Sequence, residues 1–452
     1  MLITGAELAD GRVRDVRIAD GRIAAVGQGF NADAGERVVD ARGRHLLPGA
    51  IDVHVHFREP GGSHKETWTS GSRSAAAGGV TTVVDQPNTS PPTVDGDAFD
   101  QKAALAADSL VDYGINGGVT ADWDPEGLFE RPLFALGEVF LADSTGNMGI
   151  DAALFADAVV KARDADVTVT VHAENATLFD GSAIENAGDG VGRNADGDAW
   201  SAYRTPEAEA DAVERACDVA TDADAAVHIA HTSTPEGIDA ASDAGATCEV
   251  SPHHLLLSRA DLRGDDPAET PERPPEHHPG DGLGTYGRMN PPLRDEPRRE
   301  AVYERVADGT VDVVATDHAP HTVAEKEASV RDAPSGVPGV ETMLPLLLQE
   351  AADGRLALER VRDLVATNPA RVFDCPDKGR VAEGMDADLV LVDLDASEPI
   401  TGDALHSKCG WTPFENWPGV FPERVYLRGD LAYDAHDDAF PAGAIGENVR
   451  QT

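Results

Sequence analysis

Two periodicities divide the chain. At its start, apolar and polar positions alternate singly through 13–19 and 22–26, and the break between these runs is Asp20-Gly21. Asp-Gly between two alternating runs predicts a tight β-hairpin. The same texture returns as β segments at 387–393 and 424–433. Strands at both ends, flanking a different pattern, predict a small β-sandwich built from residues 1–47 and 376–452. Between them, short apolar, β-branched runs recur at 51–56, 81–86, 111–118, 138–141, 167–172, 226–231, 247–250 and 311–316. Helical periodicity fills several gaps, at 152–162, 207–220 and 296–307. Eight strands with crossover helices over 48–375 predict a (β/α)8 TIM barrel, an α/β fold. The alternative is an open doubly wound sheet, against whose nucleotide-binding form stands the lack of a Gly-rich phosphate fingerprint. Residues 264–288, rich in Pro and acid and without periodicity, read as a surface loop after the seventh strand.

Charge narrows the partners. The chain of 452 residues carries 37 Lys plus Arg against 81 Asp plus Glu, a formal net charge of −44. Such a surface repels nucleic acid and anionic membranes. Acid spread along the whole chain, with six lysines, suits concentrated salt, where screening falls to about 3 Å at 1 M. No run approaches the ~18 apolar residues of a membrane span. The start, MLITGAELADG, lacks the basic head and apolar stretch of a signal peptide. Cys217, Cys248, Cys375 and Cys409, without a CxxC, read as free thiols of a cytoplasmic protein.

The chemistry gathers at strand ends. His54 and His56 are two apart on the first barrel strand, so their side chains share a face. HxH alone is a weak signal. His172, His231 and Asp317 close the fifth, sixth and eighth strands, and the C-terminal rim of a barrel is where its active site lies. Four imidazoles and a carboxylate at one rim predict a divalent metal site. His228, three residues before His231, faces the other way and reads as packing. His253 and His254 follow the seventh strand and read as mouth-lining support. His277 and His278 lie in the acidic segment and read as solvated.

The segment DVHVHFREPG (52–61) resembles the signature of the dihydroorotases, within the metal-dependent amidohydrolase superfamily. The resemblance continues through QPNTSPPT, HAEN, HIAHTSTPEG, SPHHLLL, MNPPLR, TDHAPHT, SGVPGVET, TNPARVF and SKCGWTPFENW, covering nearly the whole chain. It implies a (β/α)8 barrel beside a small β-sandwich. It further implies that His54, His56 and Asp317 hold one metal and that His172 and His231 hold a second. Arg58, Asn88 and His321 are implied to bind a substrate carboxylate, for which an Arg fork is well shaped. Asn290 and the backbone at Pro338 and Gly339 are implied to address ring amides.

One departure stands out. Many relatives bridge two metals with a carboxylated lysine on the fourth strand, whereas here the matching segment LGEVFL places Glu138 there. Asp143 is the rival carboxylate, and one or two ions remain compatible with the sequence. The implied reaction is reversible cyclisation of N-carbamoyl-L-aspartate to dihydroorotate in pyrimidine synthesis, with Asp317 as acid–base and zinc as the ion. The partner is then a small molecule, with no nucleic acid or membrane, in a chain that could pair as a homodimer. Alternatives are allantoinase, a hydantoinase-like cyclic amidase and a non-catalytic homologue.

Overall fold

In the computed structural model, which describes residues 1–141, 148–263 and 282–451, the alternating N-terminal runs are strands. They are β1 (Leu2–Glu7), β2 (Val13–Ala19), β3 (Arg22–Gly27), β4 (Val38–Asp40) and β5 (His45–Pro48). Asp20 and Gly21 take φ of 51° and 76° and close β2 onto β3 with Ala19 opposite Arg22. Two left-handed residues give a turn whose twist matches that of the strands it joins.

The middle of the chain supplies β6 (Ala50–Val55), β7 (Val80–Asp85), β8 (Asp112–Ile115), β9 (Leu136–Leu141), β10 (Gly149–Ile150), β11 (Val169–Ala173), β12 (Val227–Ile229), β13 (Thr247–Val250) and β14 (Val313–Val314). Strands β6, β7 and β8 pair in parallel, as do β9, β11, β12, β13 and β14 in that order. The short β10 adds to β9. Bridges Gly117–Leu136 and Val55–His318 join the two arcs at both seams. The eight long-range neighbours therefore form a closed (β/α)8 barrel, as the sequence predicts.

Helices Trp68–Ala77, Gly96–Ala106, Pro125–Phe129, Ala152–Asp164, Pro206–Ala223, Pro235–Asp243, Glu296–Asp308 and Met343–Ala352 follow successive barrel strands. Thr205 and Thr234 accept from the backbone of the turns they open, each with Pro at the first helical position. Every residue of β6, β7, β9 and β11 is buried, so these strands read as runs rather than alternations. Within β6 the two faces still differ. Ile51 and Val53 join a cluster with Val313, Ala315 and Phe373, while Asp52 and His54 make polar contacts.

Strands β15 (Leu389–Pro399), β16 (Pro418–Leu427) and β17 (Asp430–Asp434) complete the terminal sheet. β15 pairs antiparallel with β5, so both chain ends share one sheet of order β17-β16-β15-β5-β1-β2-β3, with β4 beside β1. Its distant strands meet around one core of Ile3, Val16, Ile18, Ile23, Leu389 and Tyr426. The run 424–433, read as one β segment, is a hairpin. Arg428 and Gly429 (φ 48° and 79°) turn the chain between Leu427 and Asp430. Buried Lys378 ties this sheet to the barrel, donating to Asp112 on β8 (2.7 Å) and Asp388 (2.5 Å).

Of the segment 264–288, read from the sequence as a surface loop, residues 264–281 lie outside the described residues, and at 282–288 the expectation fails. Leu283 and Tyr286 are buried and Gly284–Gly287 forms a 3₁₀ turn, because two apolar side chains suffice to dock the end of a polar segment. Among the described residues no helix is long and apolar enough to cross a membrane. The four cysteines are unpaired and buried.

Candidate metal centre

The rim of the barrel brings together residues 261 positions apart. His54 and His56 leave β6, Glu138 lies in β9, His172 in β11, His231 just beyond β12 and Asp317 beyond β14. Glu138 stands between two histidine pairs. Its Oε1 lies 2.8 Å from both His172 Nδ1 and His231 Nε2. Its Oε2 faces His54 Nε2 at 3.5 Å and His56 Nε2 at 3.9 Å. Asp317 Oδ1 closes the second group, 2.9 Å from His56 Nε2 and 3.6 Å from His54 Nε2.

These donors fit a divalent cation. His54 Nε2 is buried without a hydrogen-bond partner. The ligand atoms of His54, Glu138 and His231, and those of His54, His56 and Asp317, each lie within 4.8 Å of one another. Bonds of about 2.1 Å in tetrahedral array set ligand atoms roughly 3.4 Å apart, the spacing seen around His54 Nε2. The histidines, Glu138 and Asp317 thus converge as the sequence predicts, and Glu138 reaches both histidine pairs.

Acidic partners orient the rings. His54 Nδ1 donates to Glu249 Oε1 (2.6 Å) and His56 Nδ1 to Asn88 Oδ1 (2.7 Å), which turns both Nε2 atoms inward. His172 is reversed, its Nε2 donating to Glu174 (3.0 Å) while Nδ1 faces Glu138. Glu174 is itself paired with Arg204. Glu249 also accepts from the His231 amide (3.2 Å) and from His228 Nε2 (3.1 Å). His228, read from the sequence as packing, therefore braces the carboxylate behind His54. Asp52, two residues before His54, accepts from Thr316 beside Asp317.

The sequence reading missed Glu174, Glu249 and Asp52. The signal was present for two of them, since an acid two positions from a strand histidine shares its face.

Burial penalises charge here, yet the pairs keep it. His172 is raised to about 10 against burial by its bonds to Glu138 and Glu174. His54 is likewise raised, by Glu249 and Glu138. Glu138 is held far below the carboxylate range by the imidazoles, although burial alone would raise it. A cation would take the place of those protons. Three residues of this site are among those that hold the left-handed backbone non-glycines rarely adopt: Arg58 (φ 65°), His231 (32°) and Asp317 (47°). Such strain clusters at functional sites and costs roughly 1–3 kcal/mol each.

A cavity opens above the histidines, lined by Arg58, Asn88, Asn290, Ala319, Ser335 and Gly336 among others. Lys65 Nζ donates to His321 Nδ1 (3.0 Å), so the ring's Nε2 carries the hydrogen and donates to Ser335 O (2.9 Å). Arg58 Nη2 lies 3.2 Å from that same nitrogen, donor beside donor. Burial, with Arg58, Lys326 and Lys65 nearby, keeps His321 neutral. Asn290 Oδ1 accepts from Trp200 Nε1 and Ser335 Oγ, both 3.0 Å, which leaves its NH2 for a ligand.

The other predicted residues fall elsewhere. Pro338 and Gly339 are buried behind the cavity wall, and the Gly339 amide donates to His318 Nδ1 (3.0 Å). His254 Nε2 donates to Pro291 O (2.9 Å) beside Asn290, and burial lowers His253 to about 4. Asp143, His277 and His278 lie outside the described residues.

Fold and site together define a metal-dependent hydrolase of the amidohydrolase family, whose family model matches residues 45–426. The chain belongs to the dihydroorotases within that family. It is 62% identical to a dihydroorotase of Halobacterium salinarum over the full length of both chains. It is 40% identical to a dihydroorotase of Methanosarcina mazei, covering 93% of this chain and 90% of the relative. Among solved structures, the L-hydantoinase (dihydropyrimidinase) of Arthrobacter aurescens superposes with a TM-score of 0.87 at 25% identity, covering 98% of each chain. The D-hydantoinase (dihydropyrimidinase) of Thermus sp. gives 0.85 at 26%, covering 99% of this chain and 98% of that one.

Proposed function

We propose that this chain is a dihydroorotase, catalysing the reversible cyclisation of N-carbamoyl-L-aspartate to (S)-dihydroorotate and water in pyrimidine (UMP) biosynthesis. The observation that carries the reading is the pairing of two features at one rim. A cluster of imidazoles and carboxylates suits a cation, and beside it Arg58 lines the cavity with its guanidinium bonded to Pro320 O and set against His321 rather than ion-paired to a carboxylate, while Lys65 pairs with Glu325 and donates to His321. Excess donors around a cavity call for an anionic ligand. The full-length likeness to a dihydroorotase supports the same substrate.

His54, His56 and Asp317 would hold one ion and His172 and His231 a second, with Glu138 between them. Zinc suits this mixture of nitrogen and oxygen donors. When bound, such an ion acidifies water and polarises a carbonyl.

The chain's own groups do the rest. Arg58 and His321 grip the substrate carboxylate, with the Asn88 NH2 as a further donor. Asn290 and the backbone at Ser335 and Gly336 meet the ring amides, in place of Pro338 and Gly339. In hydrolysis, water oxygen joins the ring carbonyl carbon and the C–N bond breaks. Asp317 takes the proton from the water and delivers it to the leaving nitrogen. In cyclisation Asp317 removes the ureido proton as the C–N bond forms. The strained φ at Asp317 fixes the carboxylate at the strand end for that transfer. The same reading divides the chain at 1–47, 48–375 and 376–452, in a cytoplasmic homodimer.

The test is direct. Protein reconstituted with zinc should cyclise N-carbamoyl-L-aspartate and hydrolyse dihydroorotate, and should act at least 100-fold less efficiently on hydantoin and dihydrouracil. Preference for the uncharged rings would transfer the reading to the hydantoinases that share the fold.

A further inference from the structure

The motif SKCGWTPFENW has no part in the chemistry above, yet it reaches the site. It lies in the connection between β15 and β16, so it belongs to the terminal sheet by sequence and to the barrel mouth by contact. Trp411 is buried, and its Nε1 donates to the backbone carbonyl of His321 (2.8 Å). Its ring meets the edge of Tyr286 (5.0 Å between centroids) and lies 5.7 Å from the Lys326 ammonium. Four residues earlier, Ser407 Oγ donates to Glu66 Oε2 (2.5 Å), and Lys408 Nζ donates to Ser63 O (2.5 Å).

One connection thus grips two barrel loops. The loop after β6 carries Arg58 and ends at Glu66, and the loop after β14 carries Asp317 and His321. Within the site the same two loops meet where Arg58 Nε donates to Pro320 O (3.2 Å) and Arg58 Nη2 approaches His321. Lys326, buried beneath, donates to the carbonyls of Arg288, Pro334 and Gly336 and so fixes the third side.

We propose that Trp411 is a positioning residue for the carboxylate-binding pair Arg58 and His321, through its hydrogen bond to the His321 carbonyl. The terminal sheet thereby contributes to substrate affinity without touching substrate. The proposal rests on the dihydroorotase reading. A single neutral hydrogen bond is worth about a three- to tenfold change in an equilibrium constant. Among the described residues the indole's hydrogen bond and ring contacts go to His321, Tyr286 and Lys326 rather than to the imidazoles or carboxylates of the metal centre, so the effect falls on affinity rather than turnover.

The experiment compares wild type, Trp411→Phe, Arg58→Lys and the double variant as zinc-loaded full-length enzymes hydrolysing dihydroorotate. Trp411→Phe should raise KM about three- to tenfold, with kcat within twofold and bound metal unchanged. In the Arg58→Lys background the same substitution should change KM less than twofold, because the arm it positions is already impaired. A KM effect undiminished in that background, a fall in kcat without a rise in KM, or loss of metal would overturn the proposal. Should Trp411→Phe fail to fold, Ser407→Ala at the other anchor carries the test, with a two- to fivefold rise in KM expected and none refuting it. Wild type that does not turn over dihydroorotate would instead refute the functional reading.

Discussion

The sharpest test of the metal centre is Glu138→Gln. The substitution keeps the volume and one acceptor oxygen, so packing is nearly untouched, and it removes the charge that faces four imidazoles. Loss of a group that only orients a ligand costs 10–100-fold in metal affinity, and loss of a ligand between two sites should cost at least 100-fold. At 1.36 kcal/mol per factor of ten that is about 2.7 kcal/mol. Binding to the native state alone turns this into lost thermal stability. With an unfolding entropy of about 2.1 cal/mol/K per residue, 452 residues give roughly 0.95 kcal/mol/K for cooperative unfolding. The metal-dependent gain in Tm should therefore shrink by about 3 °C at fixed metal concentration. Differential scanning calorimetry with and without zinc, together with metal analysis after dialysis, measures both quantities. A variant keeping the wild-type ion count and the full zinc-dependent gain in Tm would refute Glu138 as a ligand. The role would then pass to an acid outside the described residues, Asp143 being the candidate from sequence.

Three further outcomes are expected. Asp317→Asn should lower kcat about 10²–10⁴-fold, the usual worth of a positioned acid–base, and near-normal turnover with metal retained would remove Asp317 from proton transfer. Glu249→Gln and His228→Phe should each weaken zinc binding 10–100-fold by isothermal titration, because both brace His54. Glu325 is held at about 2, below its ordinary 4.5, where burial is outweighed by bonds from Lys65 and Thr322. Its folded pKa is depressed, so its stabilisation is present above pH 4.5 and lost as pH falls toward 2. Glu325→Gln should flatten that part of the stability–pH curve, read by urea denaturation at pH 3 and pH 6.

Much of the site was legible because strand geometry is local. His54 and His56 share a face through a spacing of two, and each of the candidate histidines and Asp317 lies at or just beyond the end of a run that became a barrel strand, whereas Glu138 lies within one. The Asp20-Gly21 hairpin was equally legible, since a left-handed pair is required there whatever surrounds it. The Arg428-Gly429 turn was not, because 424–433 reads as one β texture although Arg428-Gly429-Asp430 interrupts its apolar residues. Gly339 was misplaced for a different reason: its motif specifies the loop, but which amides face the cavity depends on His318 taking the Gly339 N–H.

The sequence by itself determined periodicity, and with it a barrel flanked by strands from both termini, an acidic surface and a set of rim residues. Only the tertiary structure decided partners. Glu249 meets His54 across 195 residues, Glu138 meets His231 across 93, and Trp411 reaches His321 across 90. The reason is physical: spacings of two or about 3.6 fix which way a side chain points on its own element. The atom it meets is set by strand order, stagger and ring closure, which are properties of the whole sheet.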